Sequence, residues 1–189
     1  IGLLEQRNAA FVSVRRGANA LTPVATSLGG ELDFRSLTGA DERGRLRLEG
    51  GSDGRRGGQL SLGDVVGRAD WRVSASRDES DGSRHHADGE RNAVQFNTGW
   101  RAGETFSNRT FASWTDLFFH IPNVVPKARI HSDPRGVMGD GDTPQDRLLD
   151  VYRRDPLRDT RHWRVANVSE WGGAERRQSL GLWWQDTDD

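Results

Sequence analysis

Residues 68–77, RADWRVSASR, decide the fold class of this chain. Ala69, Trp71, Val73 and Ala75 alternate one by one with charged residues and serines. A period of two puts the apolar side chains on one face of an extended strand and the polar ones on the other. The stretch therefore predicts a β-strand with one apolar face and one polar face.

The same alternation recurs on both sides of this stretch. Turns are expected near residues 66, 103 and 173, and two long loops are expected over 78–91 and 116–160. Short turns that alternate with long loops are typical of outer-membrane β-barrels. The second loop contains the pattern of a short helix, residues 144–154, with Thr143 as N-cap. Besides residues 68–77, strands are predicted over 44–50, 57–64, 92–101, 105–115, 161–171 and 175–185.

Arginines and acidic residues are frequent on the polar face of these strands, and a water-filled lumen would solvate them. Tryptophans near the strand ends match the aromatic girdles of membrane barrels. The alternation also fits a soluble β-sandwich in which the apolar face is the core and the tryptophans are core anchors. A soluble all-β carbohydrate-binding module with tryptophan platforms is therefore the alternative interpretation.

Composition narrows the possible functions. The chain has 189 residues, a formal net charge of −1 and no cysteine. Interleaved charges that nearly cancel predict no nucleic-acid partner, and the lack of cysteine excludes disulfides and thiolate chemistry. No apolar run approaches the roughly 18 residues of a membrane helix. No nucleophile–base set, phosphate loop or catalytic carboxylate pair stands out, so we expect neither an enzyme nor a bound cofactor.

A different kind of sequence precedes these strands. FVSVRRGANALTPVATSLGGELDFR, residues 11–35, has the pattern of a strand, a turn, a polar link and a second strand after paired glycines. Strands are predicted over 11–15 and 30–36. Thr38-Gly39-Ala40-Asp41 is a polar break, and we place a domain boundary there. The two expected domains are residues 1–39 and residues 40–189.

This stretch resembles the C-terminal end of the plug domain in TonB-dependent outer-membrane receptors. Residues 49–86 are similar to the first barrel strands of that family, and residues 118–137 are similar to the third extracellular loop of its ferric-citrate-type members. The family pattern in the plug is V-x-V-x-R-G-x-x-A-L followed by Gly-Gly and a hydrophobic strand. It is matched in order by Val12, Val14, Arg16, Gly17, Ala20, Leu21, Gly29, Gly30 and Phe34.

The resemblance implies an all-β fold: a transmembrane antiparallel β-barrel of about 22 strands, of which this chain holds about seven, preceded by the end of an α/β plug domain. It implies a receptor in the Gram-negative outer membrane, in contact with lipid and lipopolysaccharide. Such a receptor binds and imports a scarce solute, here a ferric siderophore or ferric dicarboxylate chelate. TonB supplies the energy through a contact motif that lies outside this chain.

Four residues of the plug stretch are expected to contact the barrel. Gly17 provides backbone freedom at a strand end, and Arg16 can pair with a carboxylate of the barrel wall. Gly29 and Gly30 are expected to permit close approach of the two backbones. The alternative for Arg16-Gly17 is an ordinary surface turn.

The long loops contain the candidate ligand contacts. Arg129, His131 and Arg135 are expected to contact an anionic ferric chelate, and a solvated loop is the alternative. His85 and His86 are imidazoles that could bind a metal ion. Because adjacent histidines rarely converge on one ion, and a site needs several convergent ligands, no metal site is expected.

Overall fold

The computed structural model describes residues 5–17, 29–125, 127–173 and 176–189. Helical turns are confined to 3₁₀ segments at Gln6–Asn8 and Lys127–Arg129 and to the helices α1 (Pro144–Leu148) and α2 (Val151–Arg154) among these residues. The strands are β1 (Ala9–Arg16), β2 (Gly30–Ser36), β3 (Gly44–Gly50), β4 (Arg56–Val66), β5 (Ala69–Ser80), β6 (Gly89–Ala102), β7 (Phe106–His120), β8 (Leu157–Gly172) and β9 (Arg177–Asp188).

Strands β3 to β9 form one seven-stranded antiparallel sheet in which every strand pairs with its neighbours in sequence. The sheet is open, with β3 and β9 at its edges. The pairing is in register, so that Leu62 lies beside Val73, which lies beside Phe96. Directly paired residues share a face, and the apolar sets of the strands therefore join into one surface. The predicted antiparallel, mostly β fold is confirmed, with seven strands after residue 40.

Strands β1 and β2 form a separate two-stranded antiparallel sheet. Val12 pairs with Phe34 and Val14 pairs with Leu32, and the register shifts between Ala9 and Phe11. Both strands lie where the sequence predicted them, and β1 starts slightly earlier. The assignment of residues 1–39 to a separate domain stays a prediction.

The two ends of the seven-stranded sheet carry connections of different length. At one end the strands are joined by residues 67–68, by 103–105 and by the connection from Gly172 to Arg177. Gly67 and Gly103 have φ angles of +60° and +66°, a region that L side chains rarely adopt, and tight returns of this kind favour glycine. The longer connections lie at the other end, which we call the long-loop end: residues 51–55, 81–88 and 121–156.

The long loops are shorter than the sequence predicted. Residues 116–160 were expected to contain no strand, and this is wrong because β7 continues to His120 and β8 begins at Leu157. Phe118 pairs with residues of both β6 and β8. Hydrogen bonds to two neighbours hold the backbone extended even where adjacent phenylalanines interrupt the alternation of side chains.

The seven-stranded sheet has an apolar face and a polar face. The apolar face is defined by the side chains of Leu60, Leu62, Trp71, Val73 and their row neighbours, and the polar face by those of Gln59, Ser61, Arg72, Ser74 and theirs. The polar face is covered in the middle of the sheet, where Gln59 of β4 and Arg72 of β5 are only 2% exposed, whereas every residue of β9 is exposed. The apolar face is open, and Leu46 is 69% exposed. The buried side chains among the described residues are therefore mainly polar.

Residues 144–154 contain two short helices instead of the single predicted one. Thr143 caps α1 as expected: its hydroxyl accepts a hydrogen bond from the backbone N–H of Asp146, whose carboxylate accepts one from Thr143 in return. Pro144 follows the cap, as predicted. Asp150 lies between the two helices and caps α2, because its side chain accepts hydrogen bonds from the backbone N–H groups of Tyr152 and Arg153.

Candidate functional site

Residues 5–8 and 37–42, which we call the N-terminal segment, lie against the polar face of the seven-stranded sheet. The backbone N–H of Leu37 donates to the carbonyl oxygen of Asn8 at 2.7 Å, which joins the two parts of the segment. The carbonyl oxygen of Leu37 accepts a hydrogen bond from Asn97 Nδ2 of β6 at 2.9 Å. The strands thus provide a polar surface, and the segment contacts it mainly through hydrogen bonds.

Glu5 is the centre of the contact between the segment and the sheet. Its carboxylate accepts hydrogen bonds from Arg7 Nε at 2.8 Å, from Arg91 Nη1 at 2.7 Å and from Ser76 Oγ at 2.8 Å. Arg7 also donates two hydrogen bonds to Asp78, at 2.9 and 2.5 Å. The result is a continuous chain of alternating charges from β5 and β6 to the segment. Charge-assisted hydrogen bonds of this kind are roughly twice as strong as neutral ones.

The environment of Glu5 shifts its pKa strongly. Burial by itself would raise the pKa, but the hydrogen bonds from Arg7, Arg91 and Ser76 outweigh burial and lower it to about 2. The ordinary value for such a carboxyl group is 4.5. Glu5 is therefore held as a carboxylate, and its charge is matched by two arginines from different elements.

Asn8 makes the second set of contacts. Its side-chain amide donates to Gln95 Oε1 of β6 at 2.6 Å, and its oxygen accepts from Gln59 Nε2 of β4 at 3.0 Å. Gln59 also donates to Ser74 Oγ of β5 at 3.0 Å. One asparagine thereby joins β4 to β6, and Gln59 extends the set to β5, which lies between them.

Ion pairs continue along residues 37–42. Arg72 of β5 donates to a carboxylate oxygen of Glu42 and to its carbonyl oxygen, both at 2.9 Å. Arg109 of β7 donates to both carboxylate oxygens of Asp70, one of which also accepts from the backbone N–H of Gly39 at 3.3 Å. These guanidinium groups join neighbouring strands to the segment that covers them.

Gly39 is the point of closest backbone approach between the segment and the sheet. A Cβ atom on Gly39 would clash with the carbonyl oxygens of Asp64 and Trp71, which belong to β4 and β5. Gly63 of β4 lies directly against Gly39, since a Cβ on Gly63 would be 3.1 Å from the Cα of Gly39. Glycine is required here because two backbones meet without room for a side chain.

The long loops are joined to one another through Asp140. Its carboxylate accepts hydrogen bonds from the hydroxyl of Tyr152 at 2.7 Å and from the backbone N–H of Val137 at 2.8 Å, and it lies 3.0 Å from His85 Nδ1. Burial and the hydrogen bond to Asp140 raise the pKa of Tyr152 to about 12. Residues 81–88 and 121–156 therefore pack as one layer at the long-loop end.

The two adjacent histidines have different surroundings. His85 lies beside Asp140, whereas His86 lies beside His120 of β7 and Asp155, which follows α2. His86, His120 and Asp155 are a combination of side chains that can bind a metal ion. The sequence-based expectation was that His85 and His86 would not converge on one ion, and the structure gives the two histidines different neighbours.

The four residues expected at the plug–barrel contact lie at the end of the β1–β2 hairpin. Arg16 and Gly17 are exposed, and a Cβ on Gly17 or Gly29 would meet no atom of the described residues within 4 Å. Gly30 approaches the carbonyl oxygen of Arg15, within its own hairpin. The contacts with the sheet described above are made by other residues, and a contact role for these four stays a prediction.

The three residues expected to contact the ligand have unequal surroundings. Arg129 donates to Asp146 Oδ1 at 2.6 Å and to the carbonyl oxygen of Val137 at 2.9 Å, so its charge is already matched inside the loop. His131 is exposed, and Arg135 is exposed with Nη1 3.6 Å from Asp53 Oδ1. Ligand binding by these residues stays a prediction.

Sequence reasoning did not identify Glu5, Arg7, His120 or Asp155. Glu5 and Arg7 carry no signal in the sequence, because single charges are common throughout this chain. His120 and Asp155 carry a weak one: His120 directly precedes the long connection 121–156 and Asp155 lies at its end, and the ends of a hairpin connection lie close together in space.

No protein-family model and no curated protein matches the sequence of this chain. No helix in the part of the chain that the structure describes is long and apolar enough to cross a membrane.

Substitution of Gly39 by alanine is expected to displace the N-terminal segment from β4 and β5, because the added methyl group would clash with backbone atoms that cannot move independently. We expect faster hydrogen–deuterium exchange in residues 37–42 of the purified protein. Gly181→Ala is the matched control, since a Cβ there meets no atom within 4 Å in the part of the chain that the structure describes. Equal exchange in both variants would contradict the close approach.

Acid is expected to release residues 5–8 from the sheet. Because the folded-state pKa of Glu5 is lowered to about 2 from 4.5, its contribution to stability is fully present above pH 4.5 and is lost as the pH falls towards 2. Hydrogen–deuterium exchange of residues 5–17, measured between pH 5 and pH 2.5 and corrected for intrinsic rates, should show the release. Glu5→Gln should remove most of this pH dependence, and an unchanged pH dependence in that variant would disprove the assignment.

Proposed function

We propose that this chain is part of an outer-membrane active-transport receptor, which binds a ferric siderophore or ferric dicarboxylate and imports it with energy delivered by TonB. The observation that carries the proposal is the inverted arrangement of the seven-stranded sheet. Its charged face is covered on β4 to β7 by the N-terminal segment, and its apolar face is open. A plug inside a membrane barrel requires this arrangement, with polar contacts inside and lipid outside.

The apolar face has the composition of a lipid-facing surface. Leu46, Leu60, Leu62 and Leu182 are at least half exposed on this face. One row of paired side chains runs from β4 to β9 through Leu62, Val73, Phe96, Ala112, Val165 and Trp184. Burial of one such side chain contributes roughly 1.5–3 kcal/mol, which a water-exposed face would forgo at every position. Bilayer hydrocarbon provides that burial without a second layer of protein.

Aromatic side chains mark two borders of this face. Trp100, Phe106 and Trp171 lie near the short turns, and Trp114 lies beside Trp163 farther towards the long-loop end. From Trp171 to Trp163 the strand rises about 27 Å at roughly 3.4 Å per residue. A strand tilt of about 40° reduces this height to about 21 Å, close to the apolar band of roughly 25 Å in outer-membrane barrels.

The contacts of the N-terminal segment suit a plug that must stay in place and yet be displaced. They are mainly hydrogen bonds and ion pairs, and Leu37 is the buried apolar side chain among the described residues of the segment. Hydrogen bonds to protein can be exchanged for hydrogen bonds to water at a limited net cost, roughly 0.5–1.5 kcal/mol for a neutral pair and about 1.5–3 kcal/mol where one group is charged. A pull on the segment would therefore meet many small steps instead of one large apolar barrier.

The alternative function, a soluble carbohydrate-binding module, differs in what the apolar face contacts. Exposed tryptophans such as Trp163 and Trp184 could stack on sugar rings. A sugar platform also requires polar partners beside the rings. Trp163 has one in Asp186 of β9, whereas Trp184 pairs with Val165. The environment of the apolar face in a bilayer therefore distinguishes the two functions.

Nitroxide labels on single cysteines should report that environment without interference from native cysteines in this chain. Leu182→Cys and Gly181→Cys are a matched pair, because both are exposed in β9 and their side chains point to opposite faces. In lipid bilayers we expect the label at 182 to be accessible to oxygen and protected from a water-soluble nickel chelate, and the label at 181 to show the reverse. A label at 182 that is open to the nickel chelate would exclude the membrane assignment.

Leu182→Arg should lower the free energy of unfolding in the bilayer by roughly 2–4 kcal/mol, because it places a charge on the lipid-facing side of the sheet.

Transport should require release of the N-terminal segment. Asn8 and Gln95 are in direct contact, so Asn8→Cys with Gln95→Cys can be joined by a short bismaleimide in the full-length receptor. In iron-starved cells that contain TonB, we expect the joined receptor to bind radiolabelled ferric chelate at the surface but to import none of it. The two single-cysteine variants, treated in the same way, are the controls. Normal import through the joined receptor would contradict the mechanism, and a receptor that binds no ferric chelate would contradict the substrate.

A further inference from the structure

Three side chains with metal-binding atoms meet at the long-loop end of the sheet. His86 belongs to the connection 81–88, His120 ends β7, and Asp155 follows α2. The Nε2 atoms of His86 and His120 lie 3.5 Å and 3.4 Å from the same oxygen, Oδ1 of Asp155. One ligand atom from each of the three side chains lies within 4.8 Å of the other two.

These separations fit a single tetrahedral ion. Zinc binds imidazole nitrogen and carboxylate oxygen at about 2.0–2.2 Å, so two ligand atoms on one tetrahedral ion lie about 3.3–3.6 Å apart. Both nitrogen–oxygen separations at Asp155 fall in this range. Both exceed the roughly 2.7–3.2 Å of a hydrogen bond. The groups are thus spaced for an ion between them and not for hydrogen bonds to one another.

His86 supplies the second, independent observation. Its side chain is only 9% exposed, and its Nε2 atom is buried without a hydrogen-bond partner among the described residues. A buried nitrogen that has lost water and gained no partner is unfavourable, and such atoms in proteins need an explanation. Because the atom faces Asp155 and His120, a bound cation would provide the missing partner.

His120 is oriented by a second carboxylate. Its Nδ1 atom lies 2.9 Å from Asp88 Oδ1, which leaves Nε2 directed at Asp155. Histidines that bind metals almost always donate their other ring N–H to a carboxylate, a carbonyl group or water, which fixes the tautomer and the ring orientation. Asp88 is therefore a positioning residue, and it acts through His120.

The backbone holds these groups in place. The N–H of His120 donates to the carbonyl oxygen of Asp88 at 3.0 Å, and the N–H of Ile121 donates to that of Pro156 at 2.7 Å. His120 is thereby fixed to both of the other segments. These backbone hydrogen bonds hold the segments that carry the three side chains next to one another.

We propose that His86, His120 and Asp155 bind a divalent transition-metal ion of the zinc class, with water as the fourth ligand and Asp88 positioning His120. Two imidazoles and one carboxylate suit zinc and its neighbours among the transition metals, whereas calcium and magnesium require mainly oxygen ligands. The ion would anchor residues 121–156 to β7 and to the connection 81–88. The site is independent of iron-chelate import, because it would hold the loops together whichever solute they bind.

The test uses the full-length protein in detergent after treatment with a chelator, with zinc chloride as the probe. Isothermal titration should detect binding, and X-ray absorption of the wild-type zinc complex should show two imidazole ligands. Asp88→Asn removes the partner of a ligand and should lower the zinc affinity roughly 10–100-fold. His86→Ala and Asp155→Asn each remove a ligand, and each should lower the zinc affinity by at least as much. His131→Ala is the matched control, since His131 is an exposed histidine of the same long connection, and its affinity should be unchanged.

The absence of zinc binding, or a zinc shell with fewer than two imidazoles, would overturn the proposal. Equal losses in His131→Ala and His86→Ala would overturn it as well, because they would indicate unspecific binding to surface histidines. If His86→Ala does not fold, Asp155→Asn and the wild-type absorption spectrum decide the question. Import assays with and without zinc keep the two proposals separate. A wild-type protein that imports the ferric chelate but binds no zinc would contradict only the metal site.

Discussion

The central constraint on this sheet is the burial of charged groups on its polar face, which the N-terminal segment covers on β4 to β7 while the apolar face is open. Burial of charged groups is tolerated only where fixed partners replace the lost hydration. The carboxylate of Glu5 has such partners in Arg7, Arg91 and Ser76. The side chain of Asn8 in turn provides a hydrogen-bond partner for the neutral amide of Gln95. The position of the N-terminal segment follows from this polar complementarity. The open apolar face is the other consequence of the same constraint.

The register of the sheet connects this constraint to both of its ends. Because the strands pair in sequence order, every second connection lies at the same end, and all three longer connections come together. The pairing of β7 with β8 brings His120 opposite Leu157, close to Asp155. A shift of the register by one residue would exchange the two faces of a strand. It would break the contacts of Arg72 and Arg109 as well as those of His120.

The alternation of side chains was sufficient to predict most of the fold. Residues 44–50 were predicted as a strand with the bounds that the structure has, and the hairpin strands were placed correctly. The prediction failed at the long-loop end, where strands continue through Phe118 because two neighbours hold the backbone extended. Of the site, only the polar character of one face was predictable. The importance of Glu5 was not, because its neighbours Ser76 and Arg91 are remote in sequence.

The sequence by itself determined that the strands are antiparallel neighbours with one apolar and one polar face, and that short and long connections alternate. These properties are local, since a period of two and a tight glycine turn act over a few residues. Only the tertiary structure decided which face is covered, and that His86, unlike His85, meets His120 and Asp155. Those outcomes depend on groups far apart in the chain, whose distances result from the register of the whole sheet.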